Sequence, residues 1–294
     1  MKTLNLFKLL ILLLFPLSAF TQGSVLSPLE NAPNDGVFIS EHIPNRKPIP
    51  YVHVREADVM WQKRIWRIID LREKINQSLY FPLTVLRNGQ RISFFEVIKK
   101  GIVNNRFPVY ATDIDLDKEF EVELPLPQAI KALTQMNTMK DSTGQPLYDS
   151  SGAPAMRPDT LTPQDIAQYW IKEDWFFDKQ RSIMDVRILG LCPVMETKDD
   201  QSNQFRSYKQ LFWLYYPSCR SWFSIHQAYN PYNDAEWRSF DEIFHKRMFS
   251  SYITQESNVY NRPIAAYSTG IESLLESERI KDDIFMIEHD MWNY

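Results

Sequence analysis

Glycine is scarce in this chain, with eight in 294 positions. So few leave little room for backbone loops that cradle phosphate, and the sequence has no P-loop and no dinucleotide fingerprint. It also lacks a nucleophile elbow and an HExxH pair. There is no basic excess either. The 33 Lys and Arg face 37 Asp and Glu, a formal net charge of −4, and nucleic-acid binding needs a clustered positive footprint. Long apolar runs are missing too. Residues 9–14 form a short one, and no later run reaches the roughly 20 residues that a membrane-spanning helix requires.

What the chain does contain is ordinary for a globular protein, 44% hydrophobic and 24% charged, which argues against wholesale disorder. Its length allows one large core or two modest ones. Residues 1–21 read as a signal peptide: Lys2 and Lys8 supply the positive end, 9–14 the apolar run, and Ala19 and Thr21 the small residues before Gln22. No cysteine lies near that cleavage site to accept a lipid, so a soluble exported protein is expected. Eighteen prolines are many, and those at 28, 33, 44, 48 and 50 mark residues 22–54 as an extended arm. Such an arm is either a floppy leader or a stiffened segment that lies along a partner.

The stretch EADVMWQKRIWRIIDLREKIN, residues 56–76, sets two tryptophans among basic side chains. Ala57, Trp61, Ile65 and Ile68 recur at helical spacing, whereas 66–71 is dense enough in Ile and Trp to be a buried strand. Read as a core element, its charges are a solvated face. Read as a contact, its Trp and Arg are anchors of a protein interface. LYFP (79–82), SFFEVIKKGIV (93–103) and a closing TGIESLLESERIKDDIFMIEHDMWNY (269–294) are equally distinctive. Together these strings resemble the GldN/PorN family of the type IX secretion and gliding-motility machinery. The resemblance implies a periplasmic ring subunit at the inner face of the outer membrane, with no catalytic residues and no cofactor. The partners it implies are a GldK/PorK-type outer-membrane lipoprotein, the periplasmic part of a GldM/PorM-type motor protein, and further copies of the chain itself.

Three short echoes run in the same order along the sequence: 67–71 with 187–191, 79–82 with 214–217, and 93–100 with 239–246. They suggest two related lobes, 55–124 and 164–294, joined by a turn-rich linker at 125–163. Pro163 opens an expected aromatic helix over 164–180, followed by strands at 183–191 and 210–216 around a polar loop at 196–207. By analogy the stretch 56–76 becomes a helix running into a strand. Thr269 and Glu272 make a capping box for a helix over 270–281, with a last strand at 284–287. The fold class expected is α+β, mixed helices and antiparallel hairpins.

Candidate chemistry is thin. The five histidines, at 42, 53, 226, 245 and 289, are scattered, and the adjacent Glu288, His289 and Asp290 would point apart in a strand. Glu173 and Asp174 beside Trp175, or Asp234 and Glu236 beside Trp237, could serve a cell-wall glycoside hydrolase or a glycan-binding module. Charge pattern speaks for contacts instead. Residues 55–106 carry eleven basic and five acidic side chains, while 269–294 carry two and seven. Opposite poles on one chain suit head-to-tail association. The candidate interface is therefore Trp61, Lys63, Arg64, Trp66, Arg67 and Arg72 at one pole and Glu276, Asp282 and Asp283 at the other. Cys192 and Cys219 invite a disulfide in an exported protein. The expected hairpin would hold them roughly 30 Å apart at about 3.3 Å per residue, so two buried thiols are expected.

Overall fold

In the computed structural model, residues 46–84, 91–112, 120–139, 145, 147, 155–198, 205–230, 233 and 236–291 are described. The segment expected as a signal peptide, 1–21, and most of the expected arm lie outside them. The chain enters through a 3₁₀ turn at Glu56–Asp58 and a twelve-residue strand, β1 (Val59–Asp70). Helices α1 (Gln77–Tyr80) and α2 (Phe94–Val103), strand β2 (Val109–Tyr110) and helix α3 (Leu126–Ala132) follow. A separate hairpin of β3 (Thr134–Thr138) and β4 (Met156–Thr160) comes next, then β5 (Ile166–Asp178) and β6 (Ile183–Lys198). Strands β7 (Phe205–Gln210) and β8 (Trp213–Tyr215) lead to α4 (Tyr216–Ser224) and α5 (Phe240–His245), and the chain closes with β9 (Tyr252–Glu256) and α6 (Ile271–Met291).

Seven strands form one antiparallel sheet in the order β2-β8-β6-β5-β1-β9, with β7 also paired to β6. This is an α+β fold. Strand β1, from the first expected lobe, lies between β5 and β9 of the second, so the two stretches share one sheet instead of standing as separate lobes. The stretch 125–163 is likewise more than a linker, since it supplies α3 and the β3–β4 hairpin.

Three expected elements changed type. The helical spacing at the start of 56–76 belongs to a strand: β1 is central, flanked on both sides, and its Val, Ile and Trp content suits a two-sided buried position better than a solvent-facing helix. The aromatic segment 164–180 is β5. Pro163 does open a helical turn, closed by a reciprocal Thr162–Asp165 capping box, but it stops after one 3₁₀ turn, because Tyr169, Trp170, Trp175 and Phe176 pack better on a pleated surface. At the C-terminus, α6 runs on to Met291 through the segment expected as a strand. The strand expected at 210–216 is divided: β7 ends at Gln210, β8 covers three residues, and Pro217 sits in the first turn of α4.

Two of the echoed pairs fold alike. Residues 67–70 and 187–191 are both strand, and Ser93 and Ser239 both cap helices by accepting from the backbone N–H of Glu96 and Glu242. Their following phenylalanines, Phe94 and Phe240, meet in the core with ring centroids 5.0 Å apart. Phe94 also packs within 5.2 Å of Tyr169, Phe223 and Phe244, so the main core is an aromatic nest between one face of the sheet and helices α2, α4 and α5. Gly101 lets α2 approach closely, since a Cβ there would lie 2.4 Å from the Phe107 ring. The middle pair, 79–82 and 214–217, does not share a conformation.

Cys192 and Cys219 are both buried thiols, and no disulfide joins them. Cys192 packs with Trp66, Val194 and Trp213, whereas Cys219 lies on α4 in the main aromatic core. The sheet itself separates them, which is a firmer barrier than the hairpin length the sequence offers.

Candidate functional site

The basic pole of the candidate interface is largely spent inside the chain. Trp66 is 3% exposed and shares its cluster with Trp213, and its ring receives the Lys172 ammonium 5.3 Å from its centroid. Arg67 is buried and donates to the Ser251 hydroxyl at 2.9 Å and the Ser251 carbonyl at 3.0 Å. Arg64 grips Asp174 on β5 at 2.7 and 3.0 Å, and Lys63 pairs with Glu256 of β9 at 2.6 Å. Trp61 is half-buried against the cluster under α6. These side chains stitch β1 to its neighbours in the sheet. Arg72 alone of the six stays mostly exposed, held at 2.6 Å from Glu196 at the base of the β6–β7 hairpin.

The acidic pole remains on the surface. Glu276 and Asp283 both pair with Arg279 along α6, at 2.5 and 2.7 Å, and Asp282 is exposed. Helix α6 buries a narrow stripe of Ser277, Ile280 and Ile284 over Ile65, Ile253 and Ile264. Ser277 also takes the backbone N–H of Ile253 at 2.9 Å, so the helix closes the outer edge of β9. Its opposite face also carries exposed apolar residues, Leu275 at 65% and Phe285 at 64% with Ile271, Leu274 and Met286, on either side of Glu278 and Asp282. Apolar side chains on opposite sides of one helix mean that only one set of them is satisfied by this fold. The pattern is legible in residues 271–286 once the segment is known to be a single helix.

The end of the proline-rich arm lies on its own protein. The Tyr51 ring sits 4.2 Å from the Arg220 guanidinium, and the ring of the same tyrosine faces Arg187 at 5.3 Å. Arg46 pairs with Glu242, the Ser224 hydroxyl donates to the Arg46 carbonyl at 3.1 Å, and Arg187 donates to the Val52 carbonyl. Beneath Tyr51, Arg220 and Asp241 form a buried two-point pair at 2.9 and 3.2 Å, which the Tyr216 hydroxyl completes by donating to Asp241 at 2.9 Å. Burial raises the Tyr51 and Tyr216 hydroxyl pKa, holding both neutral. Sequence reasoning missed this network because its members come from four distant segments.

The carboxylates offered for sugar chemistry that lie among the described residues, Glu173, Asp174 and Glu236, are occupied. Glu173 is fully buried and held by Arg247 at 2.8 and 3.1 Å, with the Trp175 indole N–H donating to it at 3.1 Å. Asp174 is held by Arg64. Arg238 and Asn230 bond Glu236, and the Arg238 contact lowers its pKa, the wrong direction for a general acid. Asp234 lies outside the described residues. Every described tryptophan is buried or only partly exposed. The cleft beside Tyr51, lined by Met184, Tyr216, Phe244 and His245, has about 200 Å³, below the roughly 300 Å³ at which ligand pockets begin. Among the described residues, no group of three His, Cys, Asp or Glu could hold a metal ion, and no helix is long and apolar enough to cross a membrane.

Fold and surfaces therefore define an α+β protein that exposes apolar and acidic side chains along the outer face of α6. The model of the family described as gliding motility associated protein GldN matches residues 54–293, and the chain belongs to that family. No curated protein matches it.

Proposed function

We propose that this protein is a non-enzymatic structural subunit of a periplasmic ring at the inner face of the outer membrane. The ring serves type IX protein secretion and, in some members, gliding, by coupling an inner-membrane motor to the outer-membrane export apparatus. Its partners on this reading are a GldK/PorK-type lipoprotein, a GldM/PorM-type motor protein and further copies of itself. The observation that carries the proposal is the family match, which spans every described strand and helix. The occupied carboxylates support it, because a hydrolase needs two free ones at the cleavage point. So do the outer apolar side chains of α6, which a solitary subunit would expose to water.

The test is reconstitution. The purified chain, with and without the lipoprotein, is viewed by negative-stain electron microscopy, and closed rings are expected at least in the mixture. Monomers under both conditions would overturn the ring. Incubation with peptidoglycan addresses the competing cell-wall reading. Neither pelleting nor released fragments are expected, and stoichiometric release of fragments would replace the structural role with a hydrolytic one.

A further inference from the structure

The sheet has three lateral edges, and two are covered. Helix α6 and the Gln255–Pro263 bridge close β9, while the chain at 122–124 closes β2 through Ala111 N–H to Val122 O and Leu124 N–H to Val109 O. The third edge is β7, which pairs only with β6 among the described residues. It is exposed from Phe205 to Lys209, with Phe205 at 53% and Tyr208 at 39%, their rings 4.9 Å apart. Arg206 and Lys209 flank these rings, and Arg72 reaches the same hairpin through Glu196. An open edge with charged side chains resists random pairing. Two exposed aromatic rings beside three cations go further than that defence requires, and aromatic and Arg side chains are the usual anchors of interfaces.

The outer face of α6 has the opposite character. Between its apolar ends, Ile271, Leu274 and Leu275 at one and Phe285 and Met286 at the other, stand Glu278 and Asp282. Glu278 has a surface pair with Lys281 at 3.1 Å, and the helix as a whole carries seven acidic and two basic side chains. Within one copy the two surfaces do not cover each other, since both are exposed with the whole chain present. We infer that the outer face of α6 docks on the β6–β7 hairpin edge of a second copy, apolar ends against Phe205 and Tyr208 and acids against Arg206, Lys209 and Arg72. Such a contact joins two different patches, so it propagates head to tail and closes where the rotation permits. The inference rests on the self-association in the ring reading and names the surfaces that make it.

Two charge-reversed proteins test it: R206E with K209E, and E278K with D282K. All four positions are exposed, so circular dichroism should match the parent. Each variant alone should associate at least about tenfold more weakly by sedimentation at low salt. An equimolar mixture should recover assembly, because each hairpin then finds a complementary helix on the other variant. A damaged fold could not be repaired by mixing. Wild-type assembly by either variant, or failure of the mixture while the parent assembles, would overturn this contact and leave the ring reading intact. A parent that stays monomeric with and without the lipoprotein would overturn both.

Discussion

Arg247, just past the end of α5, reaches across to β5 and holds Glu173 by two hydrogen bonds, 2.8 and 3.1 Å long. Glu173 is fully buried, while the Arg247 side chain is 30% exposed. The pair ties the helical layer to the centre of the sheet, and Arg67 lies in the same electrostatic neighbourhood. Removing one partner of such a buried pair leaves the other uncompensated, which is strongly destabilising.

Replacing Arg247 with Met should therefore cost about 3 kcal/mol, the usual penalty for stranding one member of a buried pair. The thermal midpoint should fall accordingly. The double variant E173Q with R247M removes both charges and should regain most of that loss. Denaturant unfolding followed by circular dichroism measures both, and equal loss in the single and double variants would mean that packing, not charge, is what Arg247 supplies.

Tyr51 joins the arm to the body through the Arg220 guanidinium at 4.2 Å. Tyr51→Ala should destabilise the fold by about 1–2 kcal/mol, the range for a partly desolvated cation–π contact. Its clearer signature is local. Residues 46–54 should become a preferred cleavage site in limited proteolysis while the sheet stays protected. Unchanged cleavage would show that Arg46 and Val52 hold the arm without the ring.

The class of the fold was legible in the sequence; the two helices capped by Ser93 and Ser239 were read only as an echo, although each carries its serine and its glutamate within four residues. What periodicity misassigned was the first half of β1 and the whole of β5. Both are long central strands flanked on each side, so neither shows the alternation that reveals a half-buried strand. Lys63, Arg64 and Arg67 looked like a solvent-facing flank for the same reason. Their partners, Glu256, Asp174 and Ser251, lie more than a hundred residues away, and only the strand register brings them together. The outer apolar side chains of α6 were written in its sequence but hidden by ending the helix early. The open edge of β7 depends on sheet order, which no local pattern records.

His226 offers a pH test. It packs against Trp222 with ring centroids 4.5 Å apart and planes tilted by 52°, and bonds the Trp222 carbonyl through Nδ1 at 2.8 Å. Burial lowers its pKa, the Trp222 carbonyl opposes that shift, and Lys100 adds to it. The unfolded chain takes up the proton near pH 6.5, whereas the folded chain resists it. Stability from this group is thus fully present above about pH 6.5 and lost as pH falls through the lower folded value. His226→Gln should flatten the stability profile between about pH 6.5 and 5, where carboxylates contribute less. Identical slopes in parent and variant would mean that the folded imidazole takes up its proton as readily as the unfolded one.

The two thiols should be silent until the protein opens. Burial raises the Cys219 pKa to about 12, and only a weak contact with the Ser218 hydroxyl opposes it. At pH 8 roughly one molecule in ten thousand would carry the reactive thiolate there. Cys192 is fully buried on the other side of the sheet, its Sγ 3.5 Å from the Pro193 carbonyl. Alkylation of native protein at pH 8 should therefore be slow at both sites, and its rate should follow denaturant concentration along the unfolding curve. Two thiols per chain should be counted in denaturant without a reductant, since the sheet keeps the sulfurs apart. Rapid native labelling of Cys219 would mean that α4 opens locally. Loss of both thiols in monomeric protein would require a disulfide through the sheet, which this fold forbids.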